Sequence, residues 1–212
     1  MRSLHALIGL GLVIGTTVAA GQAVLPKDIF PETGNRFPSV KREALNEAGK
    51  KIYDARVDAF GPGSIRLYSQ PVADSMTELN DYLRRKSGLE PRLVELAILV
   101  TAREMDSEYV WTAHEPPALK AWLQQAVIDT VKYRRPVTTL GEKDAVIVQL
   151  GRDAIGKHKV GSDTFARAVK VFGHQGVVNI VALMGDYAAT TILLNVADQR
   201  VRPKDKSLLP IP

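Results

Sequence analysis

The sequence contains no cysteine. Disulfides, thiolate metal ligands, a cysteine nucleophile and every dithiol redox cycle are excluded with it, whatever the fold. Aromatic residues are scarce at 6%, which suits a helical protein better than a β-sandwich packed on large rings. Acidic residues number 23 against 28 basic ones, a formal net charge of +5. That surplus does not form a nucleic-acid face. Lys50-Lys51, Arg84-Arg85-Lys86 and Lys132-Tyr133-Arg134-Arg135 each fall near the end of a helical stretch, where cations complement the helix dipole. No recognised nucleic-acid-binding pattern accompanies them, so they are read as solvated helix ends and no nucleic-acid partner is expected.

Asp, Glu, Lys and Arg are missing altogether from residues 3–26. Arg2, an apolar run from Leu4 to Ile14 and small residues around Val18-Ala19-Ala20 and Gly21-Gln22-Ala23 supply the three regions of a secretory signal. Cleavage after Ala20 or Ala23 is expected, leaving an exported protein, periplasmic or secreted. The alternative is an uncleaved anchor, which the glycines and threonines of the run disfavour. Without cysteine no lipid anchor can form at the cleavage site.

The organisation expected is a signal peptide over 1–23, an extended N-terminal arm over 24–38 rich in Pro and Gly, an all-α domain over 39–200 and a tail over 201–212. Apolar spacing predicts a helix over Val40–Phe60 capped by Ser39, and a second over Val72–Lys86 with Pro71 in its first turn and Gly88 as terminator. A third opens at Pro91 and is apolar on every side except at Glu95, the pattern of a buried helix. A fourth starts near Asp106 or Ser107 and is expected to break at Pro116-Pro117 before helical spacing resumes over Ala118–Tyr133. Thr139 and Glu142 suggest a capping box for a helix through Ile155, and Ser162 a cap for another through Phe172. The last, Val177–Val196, is apolar enough to span a membrane, but Asn179, Asp186 and Asn195 favour a buried core or oligomer-interface helix, so no stable span is expected after signal cleavage. No strand pattern of comparable length competes, and the fold class is all-α.

Glu95 lies within that apolar helix, where an unpaired charge is costly. His114 is the natural partner. Ser107, Val110, Trp111 and His114 follow i, i+3, i+4, i+7 spacing and so share a helix face, with Glu108 and Glu115 beside it. A carboxylate and an imidazole in one pocket can move protons; the plainer alternative is a structural pair that satisfies buried groups. Trp111 by itself reads as core, and Ser107 and Glu108 are also what a helix N-terminus favours. No metal site is expected, because His158 and His174 have no helical pairing with His114 and His5 falls in the signal.

Two segments, Glu95 through Glu115 and Phe172 through Tyr187, resemble the carboxymuconolactone decarboxylase family, which also contains the alkylhydroperoxidase D proteins. The resemblance covers roughly Val72–Val196. It implies an all-α bundle that assembles into trimers or hexamers, with no cofactor. The peroxidase branch uses a glutamate, a Cys-x-x-Cys pair and a histidine. Glu95 and His114 match, but Ser107 and Val110 stand where the cysteines would be, so dithiol peroxidase activity does not transfer. The decarboxylase branch needs no thiols. By resemblance, His114 is the acid or base and Glu95 its orienting partner; Ser107, Glu108 and Trp111 line the pocket and Arg103 attracts a substrate carboxylate. The expected function is acid/base chemistry on a small carboxylic acid or lactone, of a carboxy-lyase type. The alternative is a ligand-binding or scaffold protein that keeps the fold without the chemistry.

Overall fold

The computed structural model describes residues 26–55 and 59–211. The expected signal peptide, residues 1–23, lies outside the described residues, as does the stretch 56–58 within the first predicted helix, Val40–Phe60. Every extended element of regular structure among the described residues is helical, and the one β-bridge joins Phe30 to Asn35.

The described residues build eight α-helices: α1 Glu47–Asp54, α2 Pro62–Arg66, α3 Gln70–Asp81, α4 Pro91–Glu104, α5 Glu108–Lys120, α6 Gln125–Lys132, α7 Glu142–Gly151 and α8 Ser162–Ala197. Single π turns, Tyr82–Lys86 and Arg152–Gly156, extend α3 and α7. At the centre is α4, buried without interruption from Leu93 to Arg103 and enclosed by α5, α7 and α8. Each of its buried Leu, Ile or Val side chains contributes about 1.5–3 kcal/mol on leaving water. A helix that is apolar on all sides has no solvent face to offer, and the bundle forms around it.

Several boundaries differ from those expected, for local reasons. The first predicted helix is reduced to a 3₁₀ turn, Arg42–Ala44, and α1. Asn46 caps α1 instead of Ser39, its Oδ1 accepting from the Gly49 N–H at 2.7 Å. Pro116 and Pro117 do not break α5, which continues to Lys120. Trp111 and Ala118, both at 0% exposure, anchor the helix on either side of the prolines, and the break falls instead at Ala121–Gln124, where Trp122 takes a left-handed φ of 65°. The Thr139–Glu142 capping box does not form: Thr139 ends a 3₁₀ turn and Leu140 is extended, packing on the core, so α7 starts from Gly141 without a side-chain cap. Ser162 likewise lies inside α8 and caps nothing, Gly161 taking the N-cap position. The break expected at Gly173 is present: the glycine leaves helical geometry at φ 67° and ψ 171°, so α8 is two helical segments meeting at a kink there.

The arm expected to be extended is instead a turn pinned to the end of α8. Asn35, at 0% exposure, donates to Gln199 Oε1, while the N–H groups of Arg36 and Arg200 donate to Ala197 O and Gly34 O. The C-terminal segment returns across α5: Leu208 N–H donates to Thr112 Oγ1 and Leu209 is buried. Among the described residues α8 alone is long and apolar enough to cross a membrane; here it packs on α4 and α7 and buries Asn179, Asp186 and Thr190.

Candidate active site

Four helical segments converge on Glu95. It projects from α4, and its Oε2 meets His114 Nδ1 of α5 at 2.8 Å. Its Oε1 accepts from Arg84 Nη2, in the π turn after α3, at 2.8 Å. From α8, Tyr187 places its ring edge-on to His114, with centroids 5.0 Å apart at 90°. Burial raises the Glu95 carboxyl, but the hydrogen bond and charge of His114, joined by Arg84, outweigh it and hold the group below its ordinary value. Glu95 is therefore a carboxylate at neutral pH. Burial likewise pushes the Tyr187 hydroxyl above the usual tyrosine range, although Arg84 and a hydrogen bond with Asn80 act against it.

A carboxylate against Nδ1 fixes the imidazole tautomer with its proton on that nitrogen and leaves Nε2 for exchange. His114 also lines a cavity of about 390 Å³, together with Asn80, Tyr109, Val110, Tyr187 and Arg66. That volume lies within the range of small-molecule sites, about 300–1,000 Å³. Gly61 is needed at its rim: φ is 93°, and a Cβ there would collide with the Tyr109 hydroxyl.

Glu95 and His114 are thus brought together, whereas the other expected residues do not border this cavity. Trp111 is fully buried in the core, and its Nε1 donates to Glu115 Oε2. Successive residues on a helix are turned by about 100°, so Val110 reaches the cavity while Trp111, next to it on the same broad stripe, points inward. Ser107 is the buried N-cap residue of α5, its backbone O accepting from Trp111 N–H, and it lines a separate depression with Glu108, which is exposed. Arg103 is spent elsewhere, on Pro210 O at 3.0 Å and Asp106 at 3.2 Å. Among the described residues no group of three or more His, Cys, Asp or Glu side chains is placed to hold a metal ion.

Charge patterning misread Arg84. Arg85 and Lys86 do pair with Asp81 on the surface, as solvated helix-end cations should. Arg84 turns inward from the same run, and Leu83 beside it, 1% exposed, shows that this turn faces the core. Asn80, Arg66 and Tyr187 were also not singled out as site residues, and only the place of Tyr187 in the second resembling segment pointed to it.

A crystal structure described as an alkylhydroperoxidase AhpD core, an uncharacterized peroxidase-related protein from Ralstonia eutropha JMP134, superposes with a TM-score of 0.67, over 81% of this chain and 94% of that one. The chain has the alkylhydroperoxidase D core fold. At 15% sequence identity the likeness carries the architecture and leaves the chemistry to the side chains. No family model matches the chain, and no curated protein matches it in sequence. On this AhpD-like fold the cavity wall contributed by α5 holds Val110 and His114, and no thiol is available to it.

Proposed function

We propose that this protein carries out non-redox acid/base chemistry on a small carboxylated lactone or related organic acid, in the manner of the carboxymuconolactone decarboxylase family. The observation that supports it is a single imidazole held on Nδ1 by a buried carboxylate while bordering a ligand-sized cavity. In a decarboxylation the bond to the departing carboxylate breaks, its electron pair passes into an enolate and carbon dioxide leaves. His114, protonated on Nε2 from solvent to the imidazolium, then gives that proton to the carbon and returns to its neutral form, so one solvent proton is consumed for each carbon dioxide released. Glu95 orients the ring and stabilises the imidazolium that donates. The same reading takes the mature chain, without residues 1–23, as an exported homo-oligomer; the exposed apolar side chains Val178, Val181, Ile192 and Val196 of α8 are consistent with an interface between copies.

The rival is ligand binding without conversion. It is favoured by Arg84, which satisfies the Glu95 carboxylate independently of any proton on His114. The test follows carbon dioxide release from a panel of carboxylated lactones and enol acids, with peroxide reduction as a control. Turnover without peroxide reduction is expected. His114→Ala should lower it by about 10²–10⁴-fold, the usual contribution of a general acid or base, and Glu95→Gln should lower it as well. Undiminished turnover in both variants rejects these roles, and acids that bind but are never altered establish the rival.

A further inference from the structure

The cavity beside His114 has two walls of different origin. One is built from α3, α5 and α8, the helices that surround the Glu95–His114 pair. The other comes from chain outside the stretch, roughly 72–196, that carries the family resemblance: Arg66 from α2 and Arg202 from the C-terminal segment. Two guanidinium groups and one imidazole line the space, and among the described residues no Asp or Glu does. Of two nearby acids among the described residues, Glu95 is held by His114 and Arg84. Asp186 accepts from Asn80 on Oδ2 at 2.8 Å, while its Oδ1 is buried without a hydrogen bond.

Arg66 is set firmly in its wall. Ile65 and Leu67 on either side are 3% and 2% exposed, and Arg66 Nη2 donates to Thr190 Oγ1, which itself donates to Asp186 O. A guanidinium carries five N–H donors. Among the described residues only the bond to Thr190 is made, Nε lies buried without a partner, and no carboxylate comes within ion-pair distance. Burial works against the cation and pulls its pKa below the usual arginine value, an effect that the charges of Asp186 and Tyr187 only partly offset. A half-buried arginine tied to a hydroxyl, in a cavity whose described lining holds no acid, is matched by an incoming anion.

We propose that Arg66 is the carboxylate anchor of this cavity, binding one carboxylate of the small organic acid whose reacting carbon faces His114. The position of the reacting carbon rests on the acid/base reading above; the anion site rests on Arg66 and its surroundings. Arg66 holds the ligand and moves no proton, so it determines specificity. The role expected of Arg103 falls to a residue of the short α2 helix that the resembling core does not include.

Calorimetric titration of the folded chain with lactone and open-chain carboxylic acids, each paired with its neutral primary amide, tests this. The wild type should prefer acid over amide by on the order of ten-fold or more, as for a charge-assisted hydrogen bond. Arg66→Gln should abolish that preference, and Arg66→Lys, which keeps the charge but loses the planar fork, should keep part of it. His114→Ala should lose turnover and retain the preference. Full preference in Arg66→Gln, or none in the wild type, overturns the proposal; in the first case the arginine serves only to tie α2 to Thr190. Should Arg66→Gln not fold, Arg66→Lys decides: undiminished preference counts against the anchor and a several-fold loss confined to the acids supports it. Acids bound through Arg66 but never converted would sink the acid/base reading and leave the anchor standing. Conversion undiminished in Arg66→Gln would do the reverse.

Discussion

Glu95 and Glu115 are two buried carboxylates in one bundle, 6% and 7% exposed, each held by one cation and one ring nitrogen. Lys132 Nζ lies 2.9 Å from Glu115 Oε1 and 2.8 Å from Oε2, Trp111 Nε1 donates to Oε2, and the ammonium sits 5.5 Å from the indole centroid. His114 and Glu115 are neighbours on α5, yet they belong to different clusters because the helix turns them to different sides. What separates the clusters is the ring. The single indole nitrogen is spent on Glu115 and Trp111 has no exposed surface; the imidazole has a second nitrogen and borders a cavity. A buried carboxylate alone marks no site. A partner with an unspent, reachable proton-exchanging atom does.

The sharpest way to break this comparison is at the sealed cluster. Lys132→Met leaves Glu115 buried and without its cation, which should cost about 3–5 kcal/mol in denaturant unfolding. Lys132→Met combined with Glu115→Leu should recover most of that loss, since apolar residues of similar volume often replace a buried pair at little cost. A single-variant loss under about 1 kcal/mol, the range of exposed pairs, would show the cluster is not sealed. Next in size is Trp111→Phe, which removes one donor from Glu115 and should cost about 1–3 kcal/mol. Carboxylate binding in the His114 cavity should be unchanged in the folded variant; a lost preference for acids over amides would mean that the two clusters act as one.

The bundle was legible because α4 has no polar face apart from Glu95, and a helix of that kind can only be central. The Glu95–His114 pair was legible for a related reason: a lone acid in such a helix demands a partner, and the next helix offered one imidazole. Trp111, Ser107 and Arg103 were misplaced because heptad-like spacing defines a broad stripe and does not say where along it the core ends and the cavity begins. Arg84 was missed because its neighbours Arg85 and Lys86 are ordinary surface cations, and local charge pattern carries no record of which member of a run turns inward. Arg66 was out of reach for a different reason. Its importance depends on α2 lying against Thr190 of α8, a contact across 124 residues of sequence.

The gentlest test of the comparison is pH applied to Glu95 itself. Its folded-state pKa lies below the ordinary value of 4.5 because His114 and Arg84 outweigh the effect of burial. A group depressed in this way contributes stability that is complete above its unfolded pKa and is lost as pH falls through the lower, folded one. Glu95→Gln keeps the volume and one acceptor for Arg84, so at neutral pH it should destabilise less than Lys132→Met. The difference in unfolding free energy between wild type and Glu95→Gln should be constant from neutral pH down to about 4.5, then shrink as the carboxylate is protonated in the folded protein. Denaturant unfolding measured across that range checks both limbs. A difference that stays flat through the acid range would mean the carboxylate gains nothing from its two partners, and Glu95 would then be no better suited than a neutral amide to hold an imidazolium at the cavity wall.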